Sequence, residues 1–318
     1  MDAPITVLAG GVGAARFLRG LVQVVDPVRV TAICNVGDDF EWNGLAVSPD
    51  IDTVLYTLAG LEGEFGWGVR GDTHTVLGEM EALGEAPWFR IGDRDLATHL
   101  WRTARLRAGE PLSAVTAGLA QARGIASTVL PVTDEAHPTR VLTDAGELAF
   151  QEYFVARRAS DTVTGFRFPG APAARPAPGV LKAIEGAAAV LLAPSNPFVS
   201  IGALLEVPGV RRALKTTQAP RVAVSPIVGN AAIKGPAADM LRALRHEVSA
   251  LGVARLYAGL VDCFVLDTVD AALAPAVEAL GMRTHVTDTM MTTDARKAEL
   301  AREVLHAAGV AAGEARSA

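Results

Sequence analysis

The chain has 318 residues, half of them hydrophobic and a fifth charged, so it can bury a large core and does not belong to the disordered class. A net charge of -6 argues against a broad nucleic-acid interface, and two cysteines are too few for a disulfide framework. No apolar stretch approaches the roughly 20 residues that span a bilayer, and the first residues lack a signal-peptide pattern. We therefore expect a cytoplasmic enzyme of small molecules, with no nucleic-acid or membrane partner.

Short apolar runs with the composition of buried parallel strands recur along the chain. These runs cover residues 5–8, 28–34, 188–192, 221–224 and 263–266. Segments with helical spacing of apolar residues lie at 14–25, 202–207 and 237–250. Alternating strands and helices predict an α/β fold, with a Rossmann-like, mainly parallel sheet flanked by helices.

The other segments are interpreted as additions to a single α/β domain spanning residues 1–318. Residues 73–121 are typical of helix broken by Gly and Pro, and we interpret them as a helical insertion extending from the strand ends over the active site. Residues 140–154 alternate like an antiparallel pair of strands. Residues 168–179 are rich in Pro and Ala and predict a linker or exposed loop, and residues 311–318 predict a frayed tail.

A glycine-rich turn follows the first predicted strand. Gly10, Gly11 and Gly13 allow the backbone to approach an anion, and the next helix would present its free N–H groups to a phosphate. Arg16, one helical turn later, adds positive charge, but it also stands where a dinucleotide fingerprint has Gly or Ala. The alternative is a tight strand-to-helix turn without a ligand. We favour phosphate contact by Gly11, Val12 and Gly13.

Four aspartates follow the second predicted strand. Asp38 and Asp39 come directly after it, and Asp50 and Asp52 follow within fifteen residues. Magnesium prefers one or two carboxylates together with phosphate oxygens and water. The alternative makes Asp38 a turn residue and one of the later two aspartates the cap of a helix at 53–61. We expect Asp38 and Asp50 to face Mg2+.

Two later strand ends also carry polar groups. Ser195 and Asn196 lie between two prolines, and Asn is suited to reading a base or ribose because it both donates and accepts hydrogen bonds. A turn that caps the next helix is the alternative. Ser225 occupies a similar turn. Lys234 would meet a phosphate or be a solvated side chain.

The stretch 92–99 is dense in groups that suit a binding site. Asp93 and Asp95 are candidates either for substrate contact or for capping a helix near Leu96. His99 is a candidate for proton handling, with a satisfied core histidine as the alternative. Tryptophans in or beside the predicted insertion would stack on a planar ring or pack in the core: Trp67, Trp88 and Trp101.

In order and number these motifs resemble the 2-phospho-L-lactate transferase family, which makes the deazaflavin coenzyme F-420. The resemblance covers residues 10–18, 35–39, 49–53, 66–68, 88–89, 92–99, 150–155, 194–201, 225–227 and 234–236. The chain departs from the family at Gly229-Asn230-Ala231, where a Gly-Lys pair is frequent. A phosphate or guanine contact there is therefore in doubt.

The resemblance implies a magnesium-dependent transfer. The donor would be a three-carbon acid (phospholactate, phosphoenolpyruvate or phosphoglycerate) joined to GMP, and the acceptor the terminal ribityl hydroxyl of the deazaflavin Fo. The Ala- and Arg-rich composition resembles actinobacterial members, which favours the enolpyruvyl donor. The resemblance also implies a homodimer, and it adds Asn35, Asp93, His99 and Ser225 to the expected substrate contacts.

The mechanism expected from these residues is in-line attack by the hydroxyl on the phosphorus next to the three-carbon acid. Asp38 and Asp50 would hold magnesium, and Asp39 or Asp52 would orient or deprotonate the hydroxyl. The turn at 11–13 would hold the phosphates, with Ser195 and Asn196 on the nucleotide.

Two other classes stay open. A nicotinamide oxidoreductase would need an acid at the end of the second strand, where the chain has Asn35. A non-catalytic nucleotide-sugar-binding regulator, similar to gluconeogenesis-factor relatives, would follow its paired aspartates with serine and glycine. Here Asp39 precedes Phe40-Glu41-Trp42.

Overall fold

A computed structural model describes residues 4–312, in which strands and helices alternate as an α/β fold. The strands are β1 (Ile5–Ala9), β2 (Val30–Cys34), β3 (Phe40–Trp42), β4 (Leu45–Val47), β5 (Thr128–Pro131), β6 (Arg140–Thr143), β7 (Gly146–Ala149), β8 (Val163–Arg167), β9 (Ala189–Leu192), β10 (Arg221–Val224), β11 (Ile227–Val228), β12 (Ala231–Ala232), β13 (Cys263–Asp267) and β14 (Arg283–Thr287). The helices are α1 (Gly11–Leu21), α2 (Pro49–Leu58), α3 (Thr75–Ala82), α4 (Asp93–Arg107), α5 (Leu112–Ala122), α6 (Val180–Glu185), α7 (Ile201–Glu206), α8 (Val210–Thr216), α9 (Ala237–Ala243), α10 (Ala250–Tyr257), α11 (Ala274–Glu278) and α12 (Asp294–Ala307).

The central sheet is parallel, with the strand order β14-β13-β10-β9-β1-β2-β5. The chain begins in the middle with β1, adds β2 and β5 on one side, and then returns to the other side of β1 with β9. The segments that follow β1 and β9 therefore diverge and leave a crevice at the carboxyl ends of these strands. The predicted fold class is confirmed.

The core lies on both faces of this sheet. Every residue of β1, β9 and β13 is buried, as expected for strands covered on both sides by helices. Helix α1 packs against α2 and α12. None of the helices within residues 4–312 combines the length and apolar character needed to cross a membrane.

The first two elements after β1 differ from prediction at their ends. Helix α1 begins at Gly11 rather than residue 14 and ends at Leu21, so the glycines form its first turn instead of a preceding loop. Strand β2 begins at Val30 rather than residue 28, because residues 27–29 form a 3-10 turn. Asp26 caps this turn by accepting a hydrogen bond from the Val28 amide at 3.1 Å.

The helix predicted over 237–250 is wrong, because the chain breaks there into α9 and α10. Arg245 adopts a positive φ of 60°, which no helix interior tolerates. Ser249 then caps α10 by accepting a hydrogen bond from the Gly252 amide at 3.0 Å.

Two strands of the central sheet, β5 and β14, had no predicted counterpart. They are its two edges. Strand β14 is polar and partly exposed along its length, so the search for apolar runs could not detect it. Strand β5 has only four residues and ends in proline.

The antiparallel prediction at 140–154 describes part of a three-stranded sheet in the order β7-β6-β8. Strands β6 and β7 are antiparallel, with Thr143 opposite Gly146 at the turn between them. Strand β7 ends at Ala149, and residues 150–156 turn helical instead of continuing the strand. The third strand, β8, was not predicted.

The segment 168–179 is a loop, as predicted, and half of its residues are exposed. Ala174 and Ala177 in this segment are buried in the main core, and Pro176 forms a bridge with Thr133. Its small side chains allow the backbone to pack closely against the domain. Residues 73–121 contain α3 and α4 and nearly all of α5. Of the predicted tail, residues 313–318 lie outside the described range.

We predict that Gly13→Ala destabilises the fold, because a Cβ on Gly13 would lie 2.2 Å from the carbonyl oxygen of Pro194. Overpacking of this kind costs about 1–3 kcal/mol. Gly78, inside α3, is the matched control, since a Cβ there meets no atom within 4 Å. Gly78→Ala should leave stability unchanged or raise it by up to about 1 kcal/mol. Urea denaturation of both variants measures the difference. Equal effects would contradict the close approach of these two loops.

Candidate active site

A cleft of about 790 Å³ opens at the carboxyl ends of β1, β2 and β9. The residues predicted from sequence that line it are Gly10, Gly11, Val12, Gly13, Arg16, Asp38, Asp50, Asp52, Trp67, Trp88, Asp95, His99, Ser195, Asn196 and Lys234. Five others are not on its wall: Asn35, Asp39, Asp93, Trp101 and Ser225. The cleft lies at the switch point of the sheet, where open α/β folds bind their ligands.

The N-terminus of α1 forms one side of the cleft. Gly10 donates its amide hydrogen to Ser195 Oγ at 3.3 Å, which ties the loop after β1 to the loop after β9. The first turn of α1 contains no acidic residue, and its cap residue, Gly10, has no side chain with which to cap it. The Gly11 backbone N–H bonds to the Asp50 carboxylate, and the remaining first-turn N–H groups and the positive end of the helix dipole are available to an anion.

Asp38 and Asp50 are held together by the amide of Asn35. Asn35 Nδ2 donates to Asp38 Oδ1 at 3.2 Å and to Asp50 Oδ2 at 2.9 Å, while its Oδ1 accepts from the Gly37 amide at 2.9 Å. Asn35 itself is fully buried. It therefore orients the two carboxylates toward the cleft instead of contacting a ligand in the cleft.

Burial disfavours the charged form of both carboxylates. Burial, followed by the charges of Asp50 and Asp39, raises the pKa of Asp38 well above its usual range. Burial also raises the pKa of Asp50 to about 6, against hydrogen bonds from Asn35 and the Gly11 backbone. A cation between the two groups would relieve this cost.

The donor set at Asp38 and Asp50 fits magnesium. Both are hard oxygen ligands that line the cleft, beside the helix terminus suited to phosphate. Across residues 4–312, no three His, Cys, Asp or Glu side chains are grouped so as to hold a metal. An ion at Asp38 and Asp50 would therefore draw its other ligands from phosphate oxygens and water, which is how Mg2+ is usually held in phosphate-transfer sites.

The prediction that Asp50 or Asp52 caps a helix is wrong. Helix α2 begins at Pro49, so both aspartates lie inside its first turn, and Ser48 occupies the cap position. Asp52 instead forms a bidentate ion pair with Arg102, whose Nη1 donates to Asp52 Oδ2 at 3.0 Å. Arg102 is wholly buried.

His99 belongs to the same buried network. Its Nδ1 lies 3.2 Å from Arg102 Nη1, and its Nε2 lies 3.3 Å from Asp95 Oδ1. Tyr56 donates its hydroxyl hydrogen to Asp95 at 2.5 Å. The sequence analysis did not identify Arg102 or Tyr56. The spacing of Asp95, His99 and Arg102 along one face of α4 was the available signal.

Asp39 lies behind Asp38. Its Oδ2 accepts a hydrogen bond from Ser48 Oγ at 2.7 Å, and its buried Oδ1 has no partner among the described residues. Burial raises the pKa of Asp39, while Ser48 and the charge of Arg102 oppose this shift. Asp39 is therefore better suited to accept a proton than Asp52, whose two oxygens are occupied by Arg102.

Asp93 caps a helix, as the alternative interpretation allowed, but it caps the neighbouring one. It accepts hydrogen bonds from the backbone amides of Thr75 and Val76, both at 3.0 Å, at the start of α3. Asp72 reciprocates at the start of α4, where it accepts from the Arg94 amide at 2.8 Å. The pair fixes α3 against α4.

The loops after β9 and β10 combine turn formation with access to the cleft. Asn196 Oδ1 accepts from the Phe198 amide at 2.9 Å, and Ser195 Oγ accepts from Gly10. Both residues also line the cleft. Ser225 is committed to its own turn, where its hydroxyl donates to the Ile227 carbonyl at 2.8 Å.

Aromatic side chains surround the acidic and glycine-rich floor of the cleft. Trp88 and Phe89 precede α4, Phe150 and Phe154 follow β7, and Trp67 comes from the loop after α2. Trp67 and Trp88 are 48% and 42% exposed, which is unusual for tryptophan in a structure without a ligand. These surfaces suit a flat ring system.

We predict that Asp50→Asn stabilises the metal-free protein by about 3 kcal/mol at pH 7.5, because it removes a buried charge whose pKa is raised to about 6. The folded wild type takes up a proton that the unfolded chain does not between pH 6 and 4. The advantage of the variant should therefore shrink as the pH falls through this window. Urea denaturation in EDTA across this range measures it.

Asp93→Asn is the control, and its effect on stability should have the opposite sign. Hydrogen bonds from Thr73 and the Val76 backbone hold the pKa of Asp93 below its usual range, so the charged form of Asp93 stabilises the fold. This variant should be less stable than wild type near neutral pH. If Asp50→Asn proves no more stable than wild type at pH 7.5, the raised pKa of Asp50 is wrong.

Comparison with known proteins identifies the family. The family model described as 2-phospho-L-lactate transferase CofD matches residues 5–307. The chain is 46% identical over 311 residues to a phosphoenolpyruvate transferase of Streptomyces griseus, covering 96% of this chain and 98% of the relative. It is 41% identical over 303 residues to a 2-phospho-L-lactate transferase of Methanothermobacter thermautotrophicus, covering 95% and 97%.

The fold is also similar to that of a crystal structure of a UPF0052 family protein from Bacillus halodurans. The TM-score is 0.63 at 17% sequence identity, with 96% of this chain and 99% of the other covered, and this likeness concerns the fold alone. The family assignment rests on the match over nearly the whole chain and on the two transferases. The chain belongs to the 2-phospho-L-lactate transferase CofD family, and it is a transferase.

Proposed function

We propose that this transferase moves a phospho-three-carbon-acid group from a GMP-linked donor to the terminal ribityl hydroxyl of the deazaflavin Fo, with release of GMP, in coenzyme F-420 biosynthesis. Phosphoenolpyruvate is the proposed three-carbon acid, because the relative from Streptomyces griseus is a phosphoenolpyruvate transferase. The observation that carries the proposal is one cleft in which an uncapped helix N-terminus meets two buried carboxylates beneath exposed tryptophans.

The donor would bind along the loops after β1 and β9. The amides at Gly11–Gly13 would hold its diphosphate, and Ser195 and Asn196 would contact the nucleotide. The flat acceptor would lie against Trp88 and the other aromatic side chains of the cleft, with its ribityl chain directed at the phosphates.

Asp38 and Asp50 would hold the magnesium ion. Bound there, Mg2+ would neutralise diphosphate charge and stabilise the charge that develops on departing GMP. Asn35 keeps the two carboxylates oriented for this role through its shared amide. The amides of α1 contribute further stabilisation from a fixed position, without reorganisation during the reaction.

In the chemical step, the ribityl oxygen forms a bond to the phosphorus next to the three-carbon acid, and the bond from that phosphorus to the GMP oxygen breaks. The hydroxyl proton passes to Asp39 through one water, because Asp39 lies behind Asp38 and not on the cleft wall. Asp52 has its two oxygens bound to Arg102, so it orients the floor of the cleft instead. Trp88 and Phe89 would exclude bulk water that would otherwise hydrolyse the donor.

We predict that incubation with Fo, Mg2+ and the enolpyruvyl donor yields GMP and the enolpyruvyl form of the coenzyme precursor, faster than with the lactyl or glyceryl donor. Mass spectrometry of the products measures this. Asp38→Asn should lower the rate at least about 100-fold, by loss of a charged ligand.

Asp26→Asn is the matched control, because Asp26 caps the turn before the start of β2, at the opposite end of this strand from the cleft, it does not line the cleft, and Asn keeps the acceptor. It should react at the wild-type rate. Absence of product with all three donors would refute the proposed reaction, and an unimpaired Asp38→Asn variant would refute the metal role.

A further inference from the structure

Two positively charged side chains of the cleft converge on one point. A Cβ placed on Gly66 would lie 3.5 Å from Arg16 Nη2 and 3.6 Å from Lys234 Nζ. Arg16 belongs to α1, Lys234 precedes α9, and Gly66 lies in the loop after α2, so three separate parts of the chain meet here. Lys234 is fixed by donating a hydrogen bond to the Phe65 carbonyl.

Among the described residues, 4–312, neither Arg16 nor Lys234 forms an ion pair with an acidic side chain, although both line the cleft. Burial, and then the charge of Arg16, lower the pKa of Lys234. Two like charges held near one point repel each other, and an anion bound between them would remove this cost.

The carboxylates and the two cations approach different residues at the start of α1. A Cβ on Gly10 would lie 3.0 Å from Asp50 Oδ2, whereas a Cβ on Gly66, beside the two cations, would lie 2.6 Å from Val12 Cγ1. The helix N-terminus is therefore adjacent to both an acidic site and a basic site. A diphosphate at this terminus has room for a second anionic group of the same ligand beside Arg16 and Lys234.

We propose that Arg16 and Lys234 bind the carboxylate of the three-carbon acid and so select donors that carry one. This inference rests on the proposed function. In the phospholactate and phosphoenolpyruvate donors the carboxylate is attached to the carbon that bears the phosphate ester, so it must bind next to the diphosphate. The cation pair thus recognises what these donors share. It separates them from nucleotide esters that lack a carboxylate, and not from one another.

The test compares two ligands that differ only in the carboxylate: the enolpyruvyl donor and the vinyl ester of GDP. Binding is measured by calorimetry with Mg2+ and without acceptor. Wild type should bind the enolpyruvyl donor about tenfold or more tightly than the vinyl ester. Lys234→Met and Arg16→Gln should each lose most of this preference while binding the vinyl ester within about threefold of wild type.

Lys234→Arg should keep much of the preference, because it keeps the charge. Lys215→Met, which removes an exposed lysine of α8, should bind both ligands like wild type. Equal losses for both ligands in Lys234→Met would mean that the pair binds phosphate, and no loss for either would mean that it binds neither group. Both results overturn the inference, as does a wild type that shows no preference.

The transfer assay separates this inference from the proposed function. A wild type that prefers the enolpyruvyl donor but forms no product with Fo leaves the carboxylate site standing and refutes the transfer reaction. Transfer to Fo with an unchanged preference in both variants refutes the carboxylate site alone.

Discussion

Asp38 and Asp50 accept hydrogen bonds from a single amide, that of Asn35, at the carboxyl end of β2. Burial raises the pKa of both carboxyl groups, so their charged forms lack adequate compensation from the protein alone. The N-terminus of α1 next to them favours an anion, since its cap residue Gly10 has no side chain and its N–H groups carry partial positive charge. In the proposed function, a diphosphate with a divalent cation would compensate both the carboxylates and the helix terminus. The rest of the site depends on this complementarity.

The topology of the sheet makes that arrangement possible. Because β1 lies between β2 and β9, the loops that follow these three strands meet at one edge. Close contacts lock them together: Gly13 packs on the Pro194 carbonyl, and Gly10 packs on Ser200. The aromatic side chains and Lys234 then come from later parts of the chain, after α2, before α4, after β7 and before α9. The loops after β1, β2 and β9 thus form a rigid part of the cleft that would hold the phosphates, and separate loops form its sides. This arrangement suits a transferase with two dissimilar substrates.

Sequence patterns predicted the elements whose signals are local. Buried parallel strands are apolar runs, and the acids and glycines at their ends could be assigned to one edge of the sheet. Edge strand β14 was not predicted because it is polar. The break between α9 and α10 was not predicted either, because the apolar residues there keep a helical period, while Arg245 and the Ser249 cap divide the chain into two helices. Arg102 was missed for a different reason: its helical spacing from Asp95 and His99 was visible, but its partner Asp52 is 50 residues away and no local pattern indicates that pairing. Asp93 was identified as a capping candidate, but local spacing does not say which helix receives the cap.

Magnesium-dependent binding of GDP tests the central claim most directly, because GDP contains the diphosphate without the three-carbon acid or the acceptor. Calorimetry on the wild type should show GDP affinity rising at least about tenfold when Mg2+ is added. In Asp50→Asn this gain should vanish, while the weaker metal-free binding at the α1 N-terminus persists. Equal GDP affinity with and without Mg2+ in the wild type would contradict the claim that carboxylates and helix amides hold the diphosphate together.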